Sequence, residues 1–451
     1  MSAERITFAP ARRQAPRSRL KNSRASVERS KPWSQWLILI GIFLPRTLSV
    51  YAGNLMFSPG RVVISLALIP ATIKLASDFS RQRHRVVATD LFMIATSVWM
   101  FVSVVFQSNG TSASSLVVSA GSEVLEFFGA YLLARAYFNS RLALIQFIRV
   151  FKIVTLILIA FAVLDVLSGR YLVYETTAQI FGVPVHPAMD RSGFFRAQST
   201  LDHPILYGAF CTIAGTLFLY SEANPLRQIL YGGICFFGVL LSVSSGPILA
   251  FGVMIGCFCY DRIMKMYRWR WKLLLAALGG LLCSAFFVSN SPVGWLITHL
   301  TFDPENGYFR LATWYAAFDQ IASSPMFGLF REKTGNEFLD LSVDCVWLVS
   351  AIQYGLPMGV FLFLANVSSF LPPGSKAKIA PDDDPYLKRM RTGLTMALSM
   401  FMFIGLTVDY WNSMWMFWGL CIGIRASLWE RYILSTKREV RAVRRISSFA
   451  K

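Results

Sequence analysis

Ile153-Val-Thr-Leu-Ile-Leu-Ile-Ala-Phe-Ala-Val-Leu164 is the centre of an apolar run that extends from residue 148 to 168. A helix needs about 20 such residues to cross a bilayer. Similar runs recur along nearly the whole chain, and they are continuous rather than alternately apolar and polar, which is unlike the strands of a β-barrel. Of the 451 residues, 55% are hydrophobic and 15% charged, whereas soluble proteins average about 25% charged residues. The sequence therefore predicts an all-α, polytopic membrane helix bundle.

The apolar runs predict about 12 transmembrane helices within a membrane domain that covers residues 33–430. Residues 1–32 are polar and Arg-rich, and no short apolar core with a cleavage site follows them, so we expect an uncleaved cytoplasmic tail. Residues 431–451 form a second basic tail. The expected spans are 34–55, 61–78, 88–107, 114–136, 148–168, 203–220, 228–243, 246–260, 272–290, 344–366, 392–409 and 412–430.

The distribution of positive charge predicts the orientation of these spans. The chain has 44 Lys and Arg against 25 Asp and Glu, a net charge of +19. With both termini in the cytoplasm, 36 basic residues lie on the inner side and eight on the outer side, as the positive-inside rule requires. The charge also suits anionic lipids, and nucleic acid is not needed as a partner. The eight outer residues are Arg46, Arg61, Arg170, Arg191, Arg196, Arg310, Arg331 and Lys333.

Two connections on the outer side are long, residues 169–202 and 291–343, while the others there are short. Long connections in compact proteins are usually either functional or disordered. Both loops are rich in aromatic and hydrophobic residues, which argues against disorder. We therefore expect the chemistry of the protein to lie where these two outer loops meet the bilayer.

The first loop contains a candidate anion site. Arg191 and Arg196 flank a segment that leads directly into the sixth span at Pro204. Guanidinium groups match phosphate oxygens with a rigid fork of donors, and a helix that begins at Pro204 would direct its free N–H groups to the same place. Alternatively, the two arginines bind lipid headgroups or pair with Asp190 and Asp202. The sequence favours neither reading.

The second loop is expected to contain an amphipathic helix, Gly307 to Ser323, on the membrane surface. Arg310 lies off the centre of its apolar stripe, where it could either reach a lipid diphosphate or extend to the interface as a snorkelling side chain. The stripe consists of Leu311, Trp314, Phe318 and Ile321.

Asp344 and His203 are candidate acid–base groups at the outer ends of spans. A carboxylate at the position of Asp344 is costly unless it is paired or functional, so it is either a general base for a sugar hydroxyl or an ordinary helix N-cap. His203 stands beside Pro204 near Arg196. A histidine there is either functional or a structural residue at a helix start.

Asp90, Glu123 and Glu126 lie within predicted spans. They either mark an ion or proton path or are neutralised by one another and by nearby Arg residues. The sequence contains no HExxH motif, no paired-Cys metal spacing and no nucleotide-binding glycine pattern, so we expect neither a metal nor a cofactor. The acidic run Asp382-Asp383-Asp384 is interpreted as a solvated loop rather than as a metal–diphosphate motif.

Three passages resemble the O-antigen ligase and polymerase superfamily of bacterial membrane enzymes, and the likeness is best over roughly residues 120–365. The first passage is similar to the family's Arg, His-Pro and Gly segment, the second to its Ser-rich turn, and the third to its Arg, Trp and Pro-x-x-Gly segment. They are Phe194-Phe-Arg196-Ala-Gln-Ser-Thr-Leu-Asp-His203-Pro204-Ile-Leu-Tyr-Gly208, Leu241-Ser-Val-Ser-Ser-Gly246, and Arg310-Leu-Ala-Thr-Trp314 through Pro325-Met-Phe-Gly328.

The resemblance implies a metal-independent glycosyltransferase. In such enzymes an acceptor glycan attacks the anomeric carbon of an oligosaccharide that is linked to undecaprenyl diphosphate. Matched to this chain, Arg196 and Arg310 would hold the leaving diphosphate, with Asp344 and His203 as further catalytic candidates. The substrate contacts implied are Arg191, Tyr308 and Trp314.

One departure from the family pattern favours a polymerase over a ligase. Many ligases have a His-Asn pair where this chain has Val343-Asp344-Cys345. We therefore expect a polymerase of exopolysaccharide or O-antigen repeat units, with a flippase and a chain-length regulator as possible partners. The alternatives are a ligase that transfers the glycan to lipid A core and, in another class, a polysaccharide or small-molecule transporter, for which Asp90, Glu123 or Glu126 would be essential.

Overall fold

The computed structural model describes residues 33–52, 55–82, 84–107, 113–191, 193–267, 269–288, 304–329, 336–341, 343–370 and 384–430. The two predicted basic tails and much of the predicted loop 291–343, with Arg331 and Lys333, lie outside these residues.

The described part of the chain is predominantly α-helical and suited to a membrane. Trp33–Phe43, Pro225–Leu241 and Leu356–Phe370 are apolar but shorter helices. The all-α membrane class predicted from the sequence is confirmed at this level. Six helices within the described ranges are long and apolar enough to cross a bilayer, namely Pro59–Ser80, Ala88–Gln107, Val117–Tyr137, Arg141–Ser168, Pro204–Ser221 and Ser245–Met266.

The elements follow one another in a simple order, with two short antiparallel hairpins between helices. They are α1 (Trp33–Phe43), β1 (Val50–Ala52), β2 (Leu55–Phe57), α2 (Pro59–Ser80), α3 (Ala88–Gln107), α4 (Ala113–Val124), a π-helical turn (Leu125–Gly129), α5 (Ala130–Tyr137), α6 (Arg141–Ser168), α7 (Leu172–Phe181), β3 (Asp190–Arg191), β4 (Phe194–Phe195), α8 (Pro204–Ser221), α9 (Pro225–Leu241), α10 (Ser245–Ile263), α11 (Arg270–Val288), α12 (Pro304–Ser323), α13 (Glu337–Leu341), α14 (Val346–Tyr354), α15 (Leu356–Phe370), α16 (Pro385–Ile404) and α17 (413–430).

Two predicted spans differ from the helices observed. The span expected over 34–55 is helical only to Phe43, because Pro45 has no N–H to continue the hydrogen-bond ladder; a hairpin of β1 and β2 follows. The span expected over 344–366 is broken at Gly355, whose φ is +82°. A Cβ at Gly355 would lie 2.0 Å from the carbonyl oxygen of Met326, so this glycine permits the segment after α12 to pack against the break.

Helix α8 is the centre of the bundle. Every residue from Leu206 to Ser221 is buried, which is unusual for a membrane helix with a lipid-facing side. Aromatic rings from its neighbours close around it: Phe210 of α8 lies 4.8 Å from Phe43 and 5.7 Å from Phe151 between ring centroids. The N-terminus of α8 is therefore fixed from several sides.

A buried ion-pair network joins the helices at the end of the bundle that contains Arg135. Arg135 is 4% exposed. Its Nε donates to Asp90 Oδ1 at 3.0 Å and its Nη1 to Glu430 Oε2 at 2.9 Å. Glu430 also lies 2.8 Å from His84 Nδ1. Asp90, a candidate transport residue, thus has a structural partner.

We predict that Arg135→Ala destabilises the fold by about 3–5 kcal/mol, because it leaves the buried Glu430 and the partly buried Asp90 without this cation. Thermal unfolding of the purified protein in detergent measures the effect. Arg149→Ala is the matched control, since Arg149 is exposed on α6. Equal unfolding temperatures for the two variants would contradict this role of Arg135.

Candidate functional site

Most of the predicted site residues lie at one end of the bundle, which we call the site end. Here the C-terminus of α1 meets the N-termini of α8, α14 and α17. Thr200 Oγ1 donates to the carbonyl oxygen of Phe43 at 2.7 Å, the N–H of Val346 donates to the carbonyl of Gly405 at 3.0 Å, and Asn412 Nδ2 donates to Asp202 at 2.5 Å. Segments far apart in the sequence are therefore joined beside α8.

Asp165 at the end of α6 positions the segment that leads into α8. Its carboxylate accepts hydrogen bonds from the N–H of Leu172 at 3.0 Å and of Ser199 at 2.8 Å. The N–H of Ala197 donates to the carbonyl of Leu241 at 3.0 Å. These long-range bonds fix the backbone on both sides of residue 198, and so they fix where the neighbouring Arg196 projects.

Arg196 is buried without an ion-pair partner among the described residues. It is 7% exposed. Its Nη2 donates to Ser244 Oγ at 2.9 Å and its Nε to the carbonyl of Ser242 at 3.4 Å. Two of the passages that carry the resemblance are therefore in contact. Burial and the neighbouring Arg191 lower the pKa of Arg196 to about 10, so the guanidinium remains charged at neutral pH.

The predicted alternative in which Arg196 pairs with Asp202 is wrong. The carboxylate of Asp202 accepts hydrogen bonds from Tyr174 Oη at 3.0 Å and from Asn412 Nδ2. Burial raises the pKa of Asp202, and the hydrogen bonds from Asn412 and Tyr174 oppose this shift. The charge of Arg196 is thus not neutralised by this carboxylate.

The apolar stripe predicted on the second loop's helix is displaced. Helix α12 packs on α14 through Ala317 and Ile321, whereas Phe318, which was expected in the stripe, is 52% exposed. The small side chain of Ala317 allows the two helices to approach closely, and this sets the facing side. Arg310 precedes Ala317 by seven residues, two helical turns, so Arg310 lies on the side that faces α14 rather than off its centre.

Arg310 and Arg196 are each within electrostatic range of Arg191 and Asp344. Burial lowers the pKa of Arg310, Asp344 opposes the shift and Arg191 adds to it. The same Asp344 and Arg191 act on Arg196. Asp344 is not the N-cap considered from the sequence, because α14 begins at Val346 and has Cys345 as its N-cap residue. Among these four groups positive charge is in excess, because Arg196 and Arg310 share one carboxylate and Arg191 acts on both arginines.

His203 has the structural position considered from the sequence, at the N-cap of α8. Its Nδ1 accepts a hydrogen bond from the N–H of Ile205 at 3.1 Å. With Nδ1 occupied as an acceptor, a neutral imidazole bears its proton on Nε2. His203 can thus donate a hydrogen bond from Nε2, but it is not arranged as a general base there.

The two remaining predicted substrate contacts, Trp314 and Tyr308, lie in different surroundings. Trp314 is partly buried against the cluster that contains Ala317 and Cys345. Tyr308 is 65% exposed and, two residues before Arg310, projects from another side of α12. The structure therefore does not bring Tyr308 to the three arginines.

A cavity of about 300 Å³ at the site end was not predicted from the sequence. Arg46, Arg61, Glu123, Glu126 and Asp409 are among its lining residues. Arg61 Nε pairs with Glu126 Oε1 at 2.6 Å, and Tyr354 Oη donates to Glu123 Oε2 at 2.6 Å. The outward position of Arg46 and the membrane carboxylates were the only signals in the sequence. That they share one space depends on helix packing.

Within the described residues, no group of three or more His, Cys, Asp or Glu side chains is arranged to hold a metal ion. Asp384 pairs with Arg141 Nε at 2.5 Å and accepts a hydrogen bond from the N–H of Tyr386 at the start of α16. Asp382 and Asp383 lie outside the described residues. Asp384 thus serves as a helix cap in a surface ion pair.

No protein-family model matches this chain, and no curated protein matches it either. The proposal that follows therefore rests on the geometry of the site end and on the three passages quoted above.

We predict that the imidazole of His203 stays neutral down to about pH 5. Burial and the nearby Arg196 lower its pKa to about 4, and protonation at Nδ1 would break the cap of α8. Because the folded-state pKa is lowered, His203 should reduce the stability of the fold as the pH falls from about 6.5 towards 4. NMR of the protein labelled with ¹⁵N-histidine measures the titration, and His203→Gln identifies the signal. A midpoint near 6.5 would contradict the prediction.

Proposed function

We propose that this protein is a glycosyltransferase of the bacterial inner membrane that polymerises repeat units linked to undecaprenyl diphosphate. In this proposal the bundle has about twelve spans, both termini are cytoplasmic, and the site end faces the periplasm. The product is an exopolysaccharide or O-antigen chain. The enzyme requires neither a metal nor a cofactor, and its partners are the lipid-linked oligosaccharide, the acceptor glycan and anionic lipids.

The observation that carries the proposal is the convergence of Arg191, Arg196 and Arg310. Two long connections far apart in sequence bring Arg196 and Arg310 each within electrostatic range of Arg191. Arg196 is buried against only neutral groups among the described residues. Fixed, buried guanidinium groups with an excess of positive charge are suited to a dianionic or trianionic ligand such as a lipid diphosphate.

In the proposed reaction, an acceptor hydroxyl attacks the anomeric carbon of the donor sugar. A new glycosidic C–O bond forms, and the bond from that carbon to the diphosphate oxygen breaks. Negative charge grows on the departing diphosphate, where Arg196 and Arg310 stabilise it more strongly than in the ground state. Asp344, between the arginines, accepts the hydroxyl proton, and His203 Nε2–H is available as a donor to a phosphate oxygen.

We predict that Arg196→Ala and Arg310→Ala each abolish polymer in cells that lack the native protein. Removal of a charge that stabilises the transition state typically costs about 10²–10³ in rate. Polymer length on gels, normalised to the amount of membrane protein, measures the effect. Arg262→Ala is the control, because Arg262 lies at the far end of α10. Polymer of normal length from both site variants would exclude the proposal.

The rival ligase activity makes a different prediction in a deletion strain. If the protein polymerises, its loss should leave single lipid-linked repeat units, because the first joining reaction is missing. If it ligates, fully polymerised lipid-linked glycan should accumulate. Mass spectrometry of extracted lipid-linked saccharides distinguishes the two, and we expect single units.

A transporter is supported less well by the packing. Glu123 and Glu126 line the cavity, but each has a neighbouring donor, Tyr354 or Arg61. Asp90, the third candidate for an ion path, is paired with Arg135 instead and is not among the residues that line the cavity. The three carboxylates therefore do not share one path within the described residues.

A further inference from the structure

The cavity of about 300 Å³ differs in chemistry from the cluster of three arginines. Aromatic side chains form part of its wall, among them Tyr410, Trp411 and Trp415. Its carboxylates, those of Glu123, Glu126 and Asp409, outnumber its two guanidinium groups. Unlike the cluster of three arginines, the cavity thus offers an anionic ligand no excess of positive charge, whereas a neutral ligand with many hydroxyl groups would find both donors and acceptors.

Two buried donors in the cavity wall lack a partner among the described residues. They are Arg46 Nε and Trp415 Nε1. Trp415 is only 7% exposed, and its ring stacks on Phe127 at a centroid distance of 4.2 Å, so its N–H cannot turn to another partner without losing this contact. Buried donors are nearly always hydrogen-bonded in folded proteins. A ligand that accepts hydrogen bonds would satisfy both groups.

The backbone around the cavity is also unusual. Between α4 and α5 the helix widens into a π-helical turn, Leu125–Gly129, which contains Glu126. Such turns are rare and are frequently found at functional sites. Here the extra residue in the turn places Glu126 beside Arg61 of α2. The geometry that forms this side of the cavity is therefore specified by a departure from regular helix.

The cavity adjoins the cluster of three arginines. Trp411, which lines the cavity, packs edge-on against His203 with 6.1 Å between ring centroids. Asp409 of the cavity is within electrostatic range of Asp344. Burial, with Glu123 and Asp344, raises the pKa of Asp409 to about 8, so this carboxyl group can donate a hydrogen bond at neutral pH. A molecule in the cavity would thus lie beside the place proposed for the diphosphate.

We propose that this cavity binds a neutral saccharide unit, the acceptor of the transfer, through its aromatic walls and its buried donors. The inference rests on the proposed function only where it identifies the bound saccharide as the acceptor. Sugar hydroxyls both donate and accept hydrogen bonds, and the C–H faces of a sugar ring pack against aromatic rings such as Trp411. Bound there, the saccharide would lie beside Asp409, which is within electrostatic range of Asp344.

Saturation-transfer NMR tests the inference directly. The probe is a panel of neutral methyl glycosides of hexoses and 6-deoxyhexoses, added to the full-length protein in phospholipid nanodiscs that contain no glycosidic detergent. We expect transfer from the protein to the ring protons of at least one glycoside. This transfer should be lost in Trp411→Ala, which removes an aromatic wall. It should be reduced in Trp415→Phe, which keeps an aromatic ring but removes the N–H. Trp269→Ala, exposed and distant from the cavity, should leave it unchanged.

Three results would overturn the inference: no transfer to any glycoside, equal transfer in the wild type and both cavity variants, or transfer only to glycosyl phosphates. Arg196→Ala separates this inference from the proposed function, because it should retain transfer to the glycosides while it loses polymer. If Arg196→Ala still makes polymer but binds glycosides, the saccharide site stands and the transferase proposal fails. If Arg196→Ala makes no polymer and the wild type shows no transfer to any glycoside, the transferase proposal stands and the saccharide site fails.

Discussion

The burial of the Arg196 guanidinium beside neutral groups is the interaction on which the site depends. A buried charge is costly unless it is paired or well hydrogen-bonded. Among the residues that the structure describes, only a hydroxyl and a carbonyl oxygen, from Ser244 and Ser242, accept its hydrogen bonds, and a second arginine nearby increases the cost. Such an arrangement is stable in a folded protein when other contacts hold it in place, and it binds an anion more strongly than an exposed arginine would.

The rest of the bundle supplies those contacts. Asp165 holds the backbone at Ser199, three residues after Arg196, and α8, which is buried from Leu206 to Ser221, gives that segment a rigid base. On the opposite wall, the break at Gly355 allows the chain after α12 to pack on α14. Arg310 of α12 is within electrostatic range of Asp344, which lies just ahead of α14. The polar groups of the site are thus positioned both by hydrogen bonds and by the apolar packing of the helices. In this way a membrane protein can concentrate charge at one end.

The sequence predicted the features that depend on local pattern. The membrane class, the start of α8 at Pro204 and the helix that contains Arg310 all follow from apolar runs, proline and spacing. Features set by long-range contacts were missed or wrong. Trp314 and Ile321 of the predicted stripe on α12 do pack in the cluster with α14, but this side also includes Ala317, a residue too small to mark a stripe, whereas Phe318 is exposed. The cavity was missed because residues near positions 46, 123 and 409 meet only in the folded bundle.

The central claim is that Arg196 and Arg310 together bind a lipid diphosphate. Native mass spectrometry of the purified protein with undecaprenyl diphosphate tests it most directly, with undecaprenyl monophosphate and phosphatidylglycerol as competitors. The account predicts one bound diphosphate lipid that neither competitor displaces at equal concentration, and loss of this binding in the double variant Arg196→Ala/Arg310→Ala. Equal retention of the diphosphate lipid by the wild type and the double variant would contradict it.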